Sequence, residues 1–397
     1  MANLTLDNGP DIFAGNRFNS NILELNINSA LHFIETYGIL LEDVVANSMG
    51  MYNISKDVME GKVKFLQSKG DRWFTKTKPA SCAWDPAGFV TYSKSEVTLA
   101  PHNIQLAHCT EDVPGWEGLF GQGNESLLDT PVGQRFFQDM VKWIFRGIGN
   151  DLTASATWGN HPIIAAAKLK YSGDPDKFLR IQKTLNICGG WLTMVDAYKT
   201  QGLANYNVPI SPTDVNGDEF IGDPNALFNK VRAAQTTEFK AATRELRAMG
   251  QRPILAVTPS IFEAYQNWLG TQYPTIPDMF YYKLNGEFCA NLGCAGGSSA
   301  SGVIGWGDFW VKSMDSWGVV SSDMEIYHHR VLATMPGNLG LGLDVKEDSN
   351  FNGMGLILQQ KLDVDQAGKI VGATNYRMGT AILDKDFIVN ASLVATK

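Results

Sequence analysis

Thr130-Pro131-Val132-Gly133-Gln134-Arg135-Phe136-Phe137-Gln138-Asp139-Met140-Val141-Lys142-Trp143-Ile144-Phe145-Arg146-Gly147-Ile148-Gly149 is the stretch on which the fold turns. Thr130 suits a helix cap. Pro131 suits the first helical position, where its missing N–H would have no partner anyway. Val132, Phe136, Phe137, Met140, Val141, Ile144, Phe145 and Ile148 then recur at steps of four and one, one apolar stripe along a helix. At about 1.5 Å per residue the predicted helix is ~27 Å long. Gly147 and Gly149 end it, and residues 150–162 read as a connection. Eight apolar side chains on one face have to be buried, so this helix is expected to be the spine of a lobe.

Upstream, a polar, Gly- and Asn-rich lead (residues 7–21) precedes an amphipathic stretch from Ile22 to Val45, which reads as an arm with a helix. Residues 59–100 hold short alternating runs, Lys62-Val63-Lys64-Phe65-Leu66 and Arg72-Trp73-Phe74-Thr75. Gly70, Pro79 and the turn Asp85-Pro86-Ala87-Gly88 break them, as in a long hairpin. Strands are expected at Glu96–Leu99 and Asn103–Ala107.

Downstream come an amphipathic segment, Asp176–Ala197, and a loop rich in Pro, Asn and Asp (Asn205–Pro224). A long helix from about Asn225 to Met249 follows, stopped by Gly250. Pro253-Ile254-Leu255-Ala256-Val257 is a buried strand, followed at once by Thr258 as cap, Pro259 as first helical residue and a helix through Leu269. The remainder is short strands, among them Gly353–Leu362, Ile370–Arg377 and Phe387–Val394.

Composition narrows the function. A chain of 397 residues exceeds one compact core, so two lobes or one core with long extensions are expected. Only 19% of residues are charged, below the ~25% usual for soluble domains. Aromatic residues reach 11%, the bias of surfaces that bury one another. Net charge is −8 with no long basic tract, which argues against a specific nucleic-acid reader. No apolar run of ~18 residues and no signal-peptide pattern is found, so a cytoplasmic product is expected. Five Cys, Cys82, Cys109, Cys188, Cys289 and Cys294, are then expected as thiols.

Charge is unevenly spread near the start. Residues 1–50 hold one basic side chain against six acidic ones; residues 56–94 hold eight against four. An acidic arm thus precedes a basic hairpin.

Catalytic and ligand motifs fail on inspection. Asp214-Val215-Asn216-Gly217-Asp218 has the first oxygen ligands of a calcium loop, but Glu219 stands where the loop needs Gly and Asn225 where it needs a bidentate Glu. An Asx-rich turn is expected there instead. Cys289 with Cys294, and His328 with His329, lack zinc spacing. The loop Gly293–Gly302 has no Lys-Ser/Thr after it, and Gly337–Gly342 is too loose for a dinucleotide fingerprint. No nucleophile elbow or His-Glu-x-x-His helix is present.

Acidic arm, basic hairpin, strand, long single helix, mixed lobe and returning strands together make an order that resembles the tailed-phage major capsid proteins of the Hong Kong 97 fold. Three stretches carry it. They are the helix Pro131–Gly149, the strand-turn-helix Ile254-Leu255-Ala256-Val257-Thr258-Pro259-Ser260-Ile261, and the end Arg377-Met378-Gly379-Thr380-Ala381-Ile382-Leu383-Asp384-Lys385-Asp386-Phe387-Ile388-Val389.

The resemblance implies an α+β fold with an N-terminal arm (1–58), an extended loop (59–95) and a peripheral domain (96–197) with spine helix 131–149. An axial domain (198–345) and closing strands of the peripheral domain (346–397) follow. It implies a self-assembling icosahedral shell around a double-stranded DNA genome, assembled in the host bacterial cytoplasm and located in the virion capsid. No catalytic centre, cofactor, metal or membrane partner is implied. The partners it implies are further copies in pentamers and hexamers, a portal, decoration proteins and packaged DNA contacted non-specifically. Because the arm starts at Met1 and reaches the loop within 58 residues, a separate scaffolding protein is expected.

Lys62, Lys64, Lys69, Arg72, Trp73, Lys76, Lys78 and Phe89 are the expected inter-subunit contacts. Some members join neighbours through a Lys and an Asn beside a Glu, and no residue here aligns to that trio. An encapsulin-like nanocompartment shell, and an enzyme acting on a polymeric or carbohydrate substrate, stand as the alternatives.

Overall fold

The computed structural model describes residues 22–26, 51–55, 58–59, 61–69, 91–109, 151–164, 175–272, 303–314, 317, 326–344, 355–361 and 369–396. The expected spine helix 131–149, with Val132, Phe136, Phe137, Met140, Val141, Ile144 and Ile148, lies outside them.

One six-stranded sheet is drawn from distant parts of the chain. Its backbone is the 14-residue strand β16 (Lys369–Ile382). On one side β16 pairs along ten residues with β6 (Ala100–Cys109). On the other it pairs first with β15 (Gly355–Lys361) and then with β14 (Leu339–Asp344). β1 (Ile22–Asn26) extends the sheet antiparallel to β15, and β2 (Tyr52–Ser55) lies parallel to β14. The arm therefore contributes a strand where a helix was expected. Ile22-Leu23-Glu24-Leu25-Asn26 alternates at period two, and the edge of β15 supplies the ladder that local helical bonds would otherwise provide.

A second six-stranded sheet runs β11 (Val303–Trp306), β12 (Phe309–Ser313), β10 (Ile254–Val257), β13 (Ile326–Thr334), β17 (Ile388–Thr396), β7 (Val208–Pro209). Every residue of β10 is buried. Packed with this sheet are α3 (Pro224–Ala233), α4 (Thr237–Ala248) and α5 (Pro259–Gln272). Phe228, Phe239, Leu255, Val257, Ile261, Val311, Val331 and Val389 share this core. The expected closing segment 346–397 thus divides, with β15 and β16 in the first sheet and β17 in the second.

Two expected helices are each broken in two. Thr236 interrupts 225–249: its hydroxyl accepts from the Phe239 amide at 3.0 Å and donates to the Asp386 carbonyl at 2.9 Å, so it caps α4 and ties it to the loop before β17. Asp223 caps α3 by accepting from the amides of Asn225 and Ala226. The segment 176–197 divides into α1 (Pro175–Leu185) and α2 (Trp191–Thr200) at Gly189-Gly190. A Cβ on Gly190 would lie 2.4 Å from the Gly159 nitrogen and the Thr157 oxygen, so only glycine lets the start of α2 meet that chain. Residues 151–158, read as connection, are helical, and their end is what Gly190 touches.

Candidate functional site

The hairpin that carries the predicted contacts is built from β4 (Lys62–Lys69) and β5 (Thr91–Thr98), with β3 (Val58–Met59) beside β4. Alternation sorts its faces. Val63, Phe65 and Val97 point inward with Leu99, while Lys62, Lys64, Leu66, Lys94 and Glu96 point to solvent. Lys64 lies directly opposite Glu96 in register, yet Glu96 pairs diagonally with Lys62 at 2.8 Å and with Lys94 at 3.4 Å. The Lys62 side chain is the first cause holding the exposed Glu96 carboxyl below its ordinary value. Three lysines face one carboxylate here, so the solvent face stays basic. Leu66, 67% exposed, is an apolar group in that face.

The inward face is pressed onto the first sheet where that sheet is paved with glycine. A Cβ on Gly340 would meet Phe65 at 3.1 Å, one on Gly342 would meet Leu99 at 2.9 Å, and one on Gly379 would meet Val97 at 2.7 Å. Gly342 and Gly379 are register partners in β14 and β16, so the gap is continuous across two strands. Trp191 donates its indole N–H to the Gly340 carbonyl at 3.0 Å and stacks on Tyr52 at 4.9 Å, clamping the same strand from α2. The hairpin base is therefore fixed to the body. Of the predicted contacts, Lys62 and Lys64 are on the solvent face and Lys69 ends β4 opposite Thr91. Arg72, Trp73, Lys76, Lys78 and Phe89 lie outside the described residues.

A second constellation was not foreseen. Arg330, in β13, is fully buried, and both its terminal nitrogens reach Asp196 of α2, at 2.9 and 2.8 Å. His161 holds the same carboxylate at 2.8 Å, Asn390 of β17 accepts from Arg330 at 2.9 Å, and Arg330 Nε donates to His328 Nε2 at 3.0 Å. Asn390 in turn donates to the Tyr206 carbonyl. Burial pushes the Asp196 carboxyl up, but Arg330 and His161 outweigh it and hold the group well below the usual carboxylate range. Burial, and then the neighbouring Arg330 charge, push His328 well below its usual value. His328 is thus a neutral acceptor packed edge-on against Trp158. The guanidinium's partners are all side chains of the protein, which makes this a lock between α2 and the second sheet.

Ser260 and His329 form a pair that could suggest a nucleophile and base. Their atoms lie 2.9 Å apart, and the other ring nitrogen faces the Gly217 carbonyl at 2.9 Å. That carbonyl only accepts, so Nε2 carries the proton and Nδ1 takes the Ser260 hydroxyl. His329 is buried, and the amides of Ile261 and Phe262 are already bonded to the Thr258 carbonyl. No free donors remain there to stabilise an oxyanion. The pair holds the turn between β8 (Val215–Asn216) and β9 (Glu219–Phe220) against β13. That turn, at the Asx-rich stretch, uses Gly217 with φ of 62°.

No family model and no curated protein matches the sequence. Among solved structures, the chain is similar to the satellite phage P4 procapsid including size determination (Sid) protein, at 11% identity and a TM-score of 0.46, with 95% of this chain and 93% of that chain covered. It is also similar to the capsid of Ralstonia phage GP4, at 10% identity and a TM-score of 0.43 over 88% of this chain and 89% of that one. A third similarity is to the capsid of Myoviridae phage XM1, at 10% identity and a TM-score of 0.34, covering 87% and 90%.

Proposed function

We propose that this chain is a major capsid protein of a tailed bacteriophage, many copies of which close into an icosahedral shell around double-stranded DNA. The observation that carries the reading is the way the hairpin is mounted. Its base is pinned through Gly340, Gly342 and Gly379 to a sheet made of β1, β2, β6, β14, β15 and β16, while its outer face stays basic and carries an exposed leucine. A rigidly mounted, outward-reaching ribbon of this kind serves a neighbour, not the subunit's own core.

In this reading the first sheet with α2 is the peripheral lobe, the second sheet with α3, α4 and α5 is the axial lobe, and β17 closes the axial sheet. The Asp196–Arg330 lock keeps the two lobes at one angle, so that copies meet with a fixed curvature. The role is structural. A separate scaffolding protein, a portal and decoration proteins are the further partners, DNA is met through non-specific contacts, and the product is the virion capsid built in the host cytoplasm.

Reversing Lys62, Lys64, Lys69, Lys76 and Lys78 to Glu tests the reading. The expected result is a folded subunit, with wild-type circular dichroism, that no longer sediments as particles. Normal particles from the reversed protein at low salt, where screening reaches only about 10 Å or more, would remove the hairpin from assembly.

A further inference from the structure

The second sheet carries opposite charge at its two ends. Residues 200–229 hold four acidic side chains, Asp214, Asp218, Glu219 and Asp223, and no Lys or Arg. Residues 230–252 hold six basic side chains against two acidic ones, a balance of +4. Topology places these two runs apart. The acidic turn is fixed to β13 at its beginning, where His329 reaches the Gly217 carbonyl. The basic run is fixed at the other end of β13, where Thr334 pairs with Ile254 and the Trp310 amide bonds the Pro253 carbonyl. Five strand residues separate His329 from Thr334, or about 17 Å at ~3.3 Å each.

The basic end is organised, not merely rich in charge. Lys240, Arg244 and Arg247 recur at steps of four and three along α4 and share one exposed stripe. Glu238 and Glu245 fall on the far side of the helix. Arg247 and Arg232 both hold Asp308, at 2.7 and 3.2 Å, so one carboxylate orders two guanidiniums that remain 65% and 52% exposed. Arg252 lies over the Trp310 ring at 4.6 Å and continues the face. At the acidic end Asp218 and Glu219 are exposed on the turn, and Ile221, 60% exposed, supplies an apolar group beside them.

We infer that the occupant of the basic face is the β8–β9 turn of a second copy of this chain, so that the lobes associate head to tail. Two complementary patches at opposite ends of one rigid lobe cannot both be satisfied in a single two-fold contact. They join copies in a heterologous series that closes into a ring or runs on as a chain. Opposite potentials steer the encounter and set its register, and Ile221 gives the contact a dry centre. The inference rests on the shell reading, because a ring of lobes is useful only in a closed assembly.

Two double reversals test it: Asp218→Lys with Glu219→Lys, and Lys240→Glu with Arg244→Glu. All four side chains are exposed, so each variant should fold. Each reversal alone is expected to lower particle yield about tenfold or more at low salt, and the fourfold charge swap to restore it. A carbodiimide cross-link between Lys240 of one copy and Glu219 of another, identified by mass spectrometry, is expected in wild-type assemblies. Unchanged yield from either reversal, or a swap that fails to restore it, would overturn the inference while leaving the shell reading in place. Reversal of the basic stripe that abolishes binding of a DNA duplex but leaves assembly intact would give the face to nucleic acid and also overturn it. If wild-type protein forms no particles, the shell reading falls; the inter-copy cross-link on smaller oligomers then upholds the contact, and its absence removes that too.

Discussion

The Asp196 carboxylate grips the Arg330 guanidinium with both oxygens, joining helix α2 to the middle strand β13 of the other lobe's sheet. Arg330 has no exposed side-chain surface, so it depends wholly on this carboxylate and on Asn390 and His328 for compensation. Asp196→Ala strands a buried charge and should cost ~3–5 kcal/mol of subunit stability, read from urea unfolding. Asp308→Ala removes the partner of two largely exposed arginines and should cost less than about 1 kcal/mol. Similar losses from the two variants would show that the lock is no stronger than a surface pair.

Acid should weaken the subunit before its carboxylates titrate. Folded His328 stays neutral because of burial and the Arg330 charge, whereas in the unfolded chain it takes up a proton as the pH falls through about 6.5. The unfolded state then binds more protons, so stability is lost below that pH. His329 and His102, lowered first by burial, act in the same direction. Asp151, pushed up to about 6 by burial, acts oppositely, since folded protein keeps a proton that unfolded protein releases. Three groups against one give a net loss between pH 7.5 and 5.5. The Asp196 contribution persists through this range and is lost only as the pH falls below about 3.9, where the unfolded carboxyl protonates. The urea midpoint at the two pH values should drop in wild type and drop less in His328→Gln, whose amide oxygen still accepts from Arg330. Equal drops would clear His328 of the effect.

Glycine at position 379 is a matter of space. Its Cβ would lie 2.7 Å from Val97 and 2.8 Å from the Thr98 carbonyl, which cannot turn aside as a side chain would. Gly379→Ala should cost ~1–3 kcal/mol and speed amide exchange in β4 and β5. Gly270 of α5 has nothing within 4 Å, and Gly270→Ala should stabilise by about 0.5 kcal/mol or more through helix propensity. Unaltered exchange in the hairpin of Gly379→Ala would mean that its base is not held at that point.

Local chemistry in the sequence was enough for the elements whose determinants are adjacent. The apolar run Ile254–Val257 and the Thr258-Pro259 start of α5 are visible as four buried residues and a helix-compatible proline, and the structure has both. Alternation in Lys62–Leu66 correctly separated the faces of the hairpin. What escaped depended on partners far along the chain. Ile22–Asn26 becomes a strand because β15 is there to pair with it. Thr236 breaks a helix because the Asp386 carbonyl and the Phe239 amide both take its hydroxyl. Asp196 and Arg330 meet across 134 positions, a separation no local spacing rule can register. The gap under the hairpin likewise needs Gly342 and Gly379 opposite one another in two strands, each an ordinary glycine in its own neighbourhood.

Electron microscopy of the full-length protein, expressed together with a candidate scaffolding protein encoded beside it, tests the central claim most directly. The account predicts closed, hollow shells of uniform size in negative stain, with the Lys-reversed hairpin protein remaining as folded, unassembled subunits beside them. Wild-type protein that stays monomeric or forms only small oligomers under the same conditions would contradict it.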